Sequence, residues 1–323
     1  MSLRGDGAAP SLEEVEGASA VPRPPSASSP PPPRVLLAGA LFIATLAATL
    51  WVGGMHGLAV AGFPDRPLSR TAWLFEWIRL GSPYALSLIG ILLCHEMGHW
   101  LLARRYRVAT SLPYFLPMPL TMVGTLGAFI QIRSPFPNRK ALLDVGLAGP
   151  FAGFVVCLPL LAIGIADSRI GVPDEGTMQL GEPLIFRLFA WLFASGLGEG
   201  EVLYLSPMGL AAWFGVLVTA INLLPMGQLD GGHALYATVP DRAWRISRTI
   251  HLLMFPLAVL SPSWLIWGLL CLLLGARRRH PPTLDDAAPL PRSRRLMAWA
   301  GLATFAVCFT PEPIVMDWSL FFG

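Results

Sequence analysis

The sequence predicts an all-α polytopic membrane protein with roughly six to seven transmembrane helices and a short membrane-associated β-strand and loop region. Two features of its composition lead to this prediction: 54% of the 323 residues are hydrophobic, and only 13% are charged. Because soluble domains carry about 25% charged residues, much of this chain is expected to face lipid. The net charge of +3 is small and does not indicate nucleic-acid binding.

The N-terminal part is predicted to contain a disordered tail and one transmembrane helix. Residues 1–33 are polar, rich in Pro, Ser and Ala, and end in consecutive prolines, so they are expected to form no packed core. Residues 35–53 form the first apolar run that is long enough to span a bilayer. The remainder of the segment 34–82 is mixed in character, and its stretch 71–80 suits a short interfacial helix.

The second apolar run, residues 83–105, contains the motif HEMGH. On a helix, His95 and His99 lie four residues apart on one face, so both imidazoles can reach one metal ion. Glu96 projects beside them, where a carboxylate can take a proton from a water molecule. Ionisable groups inside an apolar span are costly, which makes this motif a functional-site hypothesis. A chance occurrence of the five-residue pattern, which has only three fixed positions, is the alternative. By the positive-inside rule, the arginines that end the run place this end in the cytoplasm.

The stretch 110–140 is broken by Pro and Gly and predicts no helix. Within it, residues 129–132 alternate weakly and indicate a short strand, whose edge could pair with an unwound peptide. An ordinary cytoplasmic loop is the alternative interpretation. A third span is predicted at residues 141–165, where small side chains permit close helix packing. Residues 166–205 are acidic and are expected outside, with a short interfacial helix at 184–197.

A second motif, NLLPMGQLDGGH, follows the fourth predicted span at residues 207–224. Its Pro and paired Gly break the helix, and Asp230 lies at the break, at the same predicted depth as HEMGH. Two histidines and one carboxylate, with a water in the fourth position, form a catalytic zinc set. We therefore predict that His95, His99 and Asp230 bind one Zn²⁺ per chain. The alternative for Asp230 is a turn or helix-capping carboxylate.

The C-terminal part, residues 236–323, is predicted to contain a transmembrane hairpin, a linker and a last helix. Residues 244–274 have basic residues at both ends and prolines inside, which favours a hairpin over one long helix. A polar linker at 280–295 precedes the last, rather short span at 296–309. His233 is expected to be structural, and no role is assigned to His56, His251 or His280.

The four cysteines lie far apart in apolar runs and form no CxxC motif. They are expected to be buried small hydrophobic residues, so neither a disulfide framework nor a cysteine zinc site is predicted.

The two motifs together resemble those of the site-2 protease family of intramembrane zinc metalloproteases. HEMGH on a transmembrane helix, followed more than a hundred residues later by NLLPMGQLDGGH, is the pattern that carries the resemblance. GTLGAFIQI and DVGLAGPFAGF between them are also similar to members of this family. The resemblance covers residues 83–235, which we interpret as a catalytic membrane core.

The resemblance assigns a role to each matching residue. It implies that the two motif histidines and Asp230 bind zinc, that Glu96 is the general base, and that Asn222 positions substrate or stabilises an oxyanion. Gly124, Gly127 and Ala128 match a substrate-presenting loop more loosely. The connections between spans are too short for a PDZ domain, and the C-terminal part has no room for a CBS pair.

The activity that this resemblance implies is hydrolysis of a peptide bond in or near the transmembrane segment of a membrane-anchored protein. It also implies a multi-pass protein of the lipid bilayer, in the inner or plasma membrane if prokaryotic, with its active site toward the cytoplasm. Two alternatives stay open. A prenyl-protein-protease-like enzyme would need a later Glu, and none lies between Glu201 and Glu312. A non-catalytic metal-binding scaffold or transporter would use the metal for structure.

Overall fold

The computed structural model describes residues 34–62, 69–173, 178–194, 196, 198, 200–273 and 279–315. The predicted tail at residues 1–33 lies outside this part of the chain. The elements in chain order are α1 (Val35–Ala61), α2 (Arg70–Arg105), β1 (Tyr114–Met118), β2 (Gly124–Phe129), α3 (Arg139–Ala166), β3 (Arg169–Gly171), α4 (Leu184–Phe193), β4 (Val202–Tyr204), α5 (Pro207–Leu223), α6 (Asp230–Thr238), α7 (Pro240–Leu257), α8 (Ser263–Leu273) and α9 (Arg292–Cys308). The protein is mostly helical, as predicted.

Among the described residues, three helices are long and apolar enough to cross a membrane: α1, α2 and α3, with 27, 36 and 28 residues. The apolar helices α4, α5 and α8 are shorter. The predicted span at 207–224 corresponds to α5, and the predicted last span corresponds to α9. Within the described part of the stretch 244–274 lie the end of α7 and all of α8, and neither is among the three helices long and apolar enough to span.

Helix α2 corrects one prediction, because the expected interfacial helix at 71–80 and the second span form one continuous helix. Pro83 lies inside it and has no N–H, so the carbonyl of Arg79 loses its usual partner four residues later. The Ser82 hydroxyl donates to that carbonyl at 3.4 Å. Side-chain replacement of a missing backbone bond lets a helix continue through proline.

The strand prediction was wrong in its position. The expected strand at 129–132 lies mostly beyond β2, which ends at Phe129 and pairs antiparallel with β1, a strand that the sequence did not indicate. Ile132 forms only an isolated bridge with Thr110. The prolines around β1 suggested a loop, but Pro117 lies next to a register irregularity, where a missing N–H is tolerated.

Helices α2, α3 and α5 pack against one another around the centre of the described residues. Gly215 of α5 faces Ile91 of α2 and Cys157 of α3, and an added Cβ would lie 2.7 Å and 3.1 Å from their side chains. A Cβ on Gly98 of α2 would overlap the carbonyl of Ala148 in α3. Such small residues let backbones approach closely. This close crossing places the HEMGH turn of α2 directly against α3.

All four cysteines are free, and only Cys94 is not buried, which agrees with the prediction that they pair with nothing.

Candidate metal centre

The three predicted metal ligands come together at one point between α2 and α6. The Nε2 atoms of His95 and His99 lie 3.1 Å apart. Each lies 3.3 Å from Oδ2 of Asp230. His95 and His99 are 3% and 7% exposed, so this triangle of donor atoms is shielded by protein. Within the part of the chain that the structure describes, it is the one cluster of three residues that could hold a metal ion.

The spacing of these donor atoms fits zinc. Tetrahedral zinc bonds nitrogen and oxygen at about 2.1 Å, which places neighbouring donors about 3.4 Å apart. The observed separations of 3.1, 3.3 and 3.3 Å match one face of such a tetrahedron. The fourth position would remain open, as in catalytic sites that have three protein ligands.

The tautomer of His99 is set by α3. Its Nδ1 lies 2.8 Å from the backbone carbonyl oxygen of Val145, and because that oxygen only accepts, Nδ1 carries the proton. A neutral His99 therefore presents a bare Nε2 toward Asp230 and His95. A backbone carbonyl that orients a histidine in this way is the usual support of a metal ligand.

Glycines on α3 make room for the two rings. A Cβ on Gly149 would overlap the imidazole of His99, and a Cβ on Gly153 would lie 3.2 Å from Cβ of His95. The sequence predicted close helix packing at these glycines without naming a partner. Their particular partners are the histidines of the cluster.

Asp230 begins helix α6, and the paired glycines after it are needed for close packing. A Cβ on Gly231 would overlap the carbonyl of Leu223 at the end of α5, and one on Gly232 would lie 2.5 Å from the carbonyl oxygen of Met226. Asp230 also lies in the first turn of the helix, where the dipole favours a negative charge. The turn between α5 and α6 thus presents this carboxylate to the histidines.

Asn222, near the end of α5, also reaches the cluster. Its side-chain Nδ2 lies 3.4 Å from Nε2 of His95. A carboxamide at this distance is close enough to contact a group bound at the open coordination position. The structure therefore places the Asn222 side chain beside the cluster, and its role stays a prediction.

Glu96 lies on the side of the cluster that faces the β-strand region. It is 5% exposed, and it lines the same cavity as Ile130 and Ile132. The backbone N–H groups of Gln131 and Arg133 point away from Glu96. They donate to the Ser111 hydroxyl and to the carbonyl of Ala109. Since backbone groups alternate along an extended chain, Ile130 and Ile132 direct theirs toward the Glu96 side.

A cavity of about 690 Å³ joins these groups. Its lining includes His95, His99 and Asp230, whose three donor atoms we call the metal cluster. Glu96, Asn222 and the extended residues 128–133 also line it. Residues 280–283 of the predicted linker line it as well, which the sequence did not indicate. Gly124 and Gly127, with φ of 81° and 99°, are the first and fourth residues of β2 and precede the extended residues 128–133. Of the loosely matched loop residues, Ala128 lines the cavity itself.

His233 and His280 are paired in the structure. The sequence suggested a structural role for His233 and no role for His280. His233 Nδ1 lies 2.7 Å from His280 Nε2, although 47 residues separate them. His280 Nδ1 lies 2.6 Å from the carbonyl oxygen of Pro281, so Nδ1 donates and Nε2 accepts from His233. Burial lowers the pKa of His233 to about 4 and also lowers the pKa of His280, which keeps both rings neutral near pH 7.

Next to this pair, Tyr236 donates to Asp286 at 2.7 Å. Burial and this hydrogen bond raise the pKa of Tyr236 to about 12. Burial opposes ionisation of Asp286, but hydrogen bonds from Thr283 and Tyr236 hold its pKa below the usual value. The linker is thus fastened to α6 at two points.

The cluster has the donor set of a catalytic zinc site, and three helices of the described residues are long and apolar enough to span a membrane. Residues 83–260 match the sequence model of Peptidase family M50, and the chain belongs to that family. The resemblance to the site-2 proteases is thereby confirmed.

Three plant proteins are similar in sequence to this chain. The chain is 34% identical over 253 residues to "Probable zinc metalloprotease EGY1, chloroplastic" of Arabidopsis thaliana, covering 75% of this chain and 44% of that protein. It is 35% identical over 169 residues to "Probable zinc metalloprotease EGY2, chloroplastic" of Oryza sativa subsp. indica, covering 50% and 30%. It is 28% identical over 241 residues to "Probable zinc metallopeptidase EGY3, chloroplastic" of Arabidopsis thaliana, covering 69% and 40%. The chain spans less than half the length of these relatives.

Proposed function

We propose that this chain is an intramembrane zinc metalloprotease that hydrolyses a peptide bond in or near the transmembrane segment of a membrane-anchored protein. The observation that carries the proposal is the buried triangle of His95, His99 and Asp230. Its two histidines lie in a helix that is long enough to span a membrane. Membership in a peptidase family and relatives named as zinc metalloproteases support the same reading.

The proposed roles follow from the positions of the side chains. His95, His99 and Asp230 hold one Zn²⁺ per chain, which when bound polarises the scissile carbonyl and makes a water more acidic. Glu96 accepts the proton of the attacking water and returns it to the leaving amine. Asn222, beside His95, donates to the oxygen on which negative charge develops.

A transmembrane helix resists hydrolysis because its carbonyls are bonded internally, so the substrate must unwind before it is cut. The extended chain at Ile130 and Ile132 directs backbone groups toward the side of Glu96. An unwound peptide can add to this edge by main-chain hydrogen bonds. In the proposed complex the edge holds the substrate extended beside the metal cluster.

For the membrane arrangement we propose six to seven spans, built from α1, α2, α3 and α5, the hairpin of α7 and α8, and α9. The metal cluster lies toward the end of α2 that carries Arg104 and Arg105. By the positive-inside rule this end faces the cytoplasm, and the membrane is the inner or plasma membrane if the protein is prokaryotic. Water reaches Glu96 from that side.

The decisive experiment compares membrane proteomes of cells that carry the wild type or Glu96→Gln. Single-span proteins that accumulate uncut only in the variant support the proposal and name the substrate. The matched control is Glu76→Gln, because Glu76 lies on the same helix and pairs with Arg79 at the surface. Identical proteomes, with zinc still bound to both proteins, would favour a non-catalytic metal-binding scaffold or transporter.

A further inference from the structure

Part of the linker between α8 and α9 lies along the cavity that contains Glu96. We call residues 279–288 the wall segment. Four of its residues, 280–283, line the cavity that contains Glu96 and the metal cluster. The extended residues 128–133 line the same cavity. A peptide bound there therefore lies between the extended edge and the wall segment.

The wall segment is fastened to both sides of the cavity. The N–H of Leu284 donates to the carbonyl of Phe136 at 2.9 Å, and Arg139 donates to the carbonyl of Ala288 at 2.8 Å. On the other side, His280 accepts from His233 of α6, and its ring stacks on Tyr236 with centroids 4.4 Å apart. These contacts join the wall segment to the loop that follows the extended residues 128–133, to α3 and to α6.

The chemistry of the wall segment suits apolar side chains. Pro281 and Pro282 are exposed and have no N–H, so they offer ring surface and no backbone donor. The hydroxyl of Thr283 is bonded to Asp286 at 2.6 Å, and His280 Nε2 accepts from His233. The face toward the cavity is therefore poor in hydrogen-bond donors, and it cannot compete with Ile130 and Ile132 for a peptide backbone.

We propose that the wall segment is a substrate-binding element that selects apolar side chains next to the scissile bond. In this assignment, Pro281 and Pro282 contact the substrate, and His280 is a positioning residue that holds them in place through His233. The inference rests on the proposed protease function. It names the part of the chain that distinguishes an apolar substrate from a polar one.

The test uses the full-length protein in detergent and two fluorescent single-span peptides. The site of cleavage in a peptide of Leu and Ala is mapped by mass spectrometry, and the second peptide carries Asp in place of one Leu next to that site. The variants are His280→Ala, Pro281→Gly with Pro282→Gly, and His280→Asn, which keeps an acceptor for His233. His56→Ala is the control, since His56 bonds the carbonyl of Leu205 away from this cavity.

The expected result is a rise in KM of about tenfold for the Leu peptide in His280→Ala and in the double variant, because roughly one apolar contact is lost. kcat and zinc content stay at wild-type values. The preference for the Leu peptide over the Asp peptide shrinks, and His280→Asn restores part of it. An unchanged KM would overturn the proposal. A lower KM would show that the segment obstructs the cavity, and would overturn it as well.

Peptide binding to proteins that also carry Glu96→Gln separates this inference from the proposed function. Affinity for the Leu peptide is measured by fluorescence anisotropy and does not require cleavage. If the wild type cuts no peptide but the wall variants weaken binding about tenfold, the protease function fails while the wall segment stands. If the Glu96→Gln protein has the same affinities for the Leu and Asp peptides with and without the wall substitutions, the wall segment has no selective role.

Discussion

His99 donates from Nδ1 to the backbone carbonyl of Val145 at 2.8 Å, and this bond decides which nitrogen faces the metal cluster. The donor and acceptor come from different helices, α2 and α3. With Nδ1 protonated, Nε2 of His99 presents a lone pair within 3.3 Å of Nε2 of His95 and of Oδ2 of Asp230. A cation bound there would offset the repulsion between this lone pair and the carboxylate.

Replacing Asp230 by Ala is expected to lower zinc affinity by more than the roughly 10- to 100-fold that is typical for loss of an outer-shell partner. The reason is that a direct ligand of the triangle is lost. Zinc per chain is measured by atomic emission after dialysis against a buffered zinc series. Asp286→Ala serves as the control, because Asp286 bonds Thr283 and Tyr236 instead. Equal zinc content in both variants would remove Asp230 from the ligand set.

Gly149→Ala is expected to reduce zinc affinity by about 10- to 100-fold, because the new Cβ overlaps the His99 ring and turns it away from its bond to Val145. Gly90→Ala is the matched control: Gly90 lies in α2, and a Cβ there meets nothing within 4 Å. That control gains up to about 1 kcal/mol of helix propensity. Normal zinc binding by Gly149→Ala would show that the ring tolerates displacement.

Ile132→Pro is expected to slow cleavage of a single-span peptide at least about tenfold while zinc content stays normal, because the variant loses an N–H on the edge proposed to bind substrate. Ile132→Ala keeps the N–H and controls for the side chain. The measurement is kcat/KM for a labelled peptide in detergent. Equal rates for the two variants would argue against strand addition at this edge.

Arg294→Leu is expected to destabilise the protein by about 2 kcal/mol, because it leaves the buried carboxylate of Asp144 with Tyr106 as its remaining partner. Arg294 donates to Asp144 from Nε at 2.7 Å and from Nη2 at 2.9 Å, joining α9 to α3. Arg295→Leu, one residue away and exposed, is the control. Thermal unfolding in detergent reports the difference, and equal melting temperatures would contradict it.

Removal of zinc by a chelator is expected to lower the melting temperature of the wild type and not that of Asp230→Ala. A ligand present at 100 times its Kd stabilises the native state by about 2.7 kcal/mol, so its loss is measurable. Added zinc should restore both the melting temperature and cleavage. If the melting temperature of the wild type does not change on chelation, the three donors hold no metal that contributes to stability.

The hydrophobic runs and their breaks predicted most of the helices, because spans and caps are local properties of the chain. The predicted boundaries at 207–224 agree with α5 to within a residue, where Ser206 caps the helix by accepting from the N–H of Gly209. The prediction failed at Pro83 for the same reason. A local rule predicted a break there, but Ser82 supplies the missing bond, and α2 continues.

What the sequence by itself determined was the membrane class, the family resemblance and the choice of His95, His99 and Asp230 as a candidate set. These depend on composition and on residues at fixed short spacings. Only the tertiary structure decided that Val145 orients His99, that β1 partners β2, and that His280 meets His233. The two histidine contacts join residues 46 and 47 positions apart in sequence, and tertiary packing, which no local pattern records, brings their atoms together. β1 and β2 are neighbours in sequence, but the prolines of β1 concealed the strand.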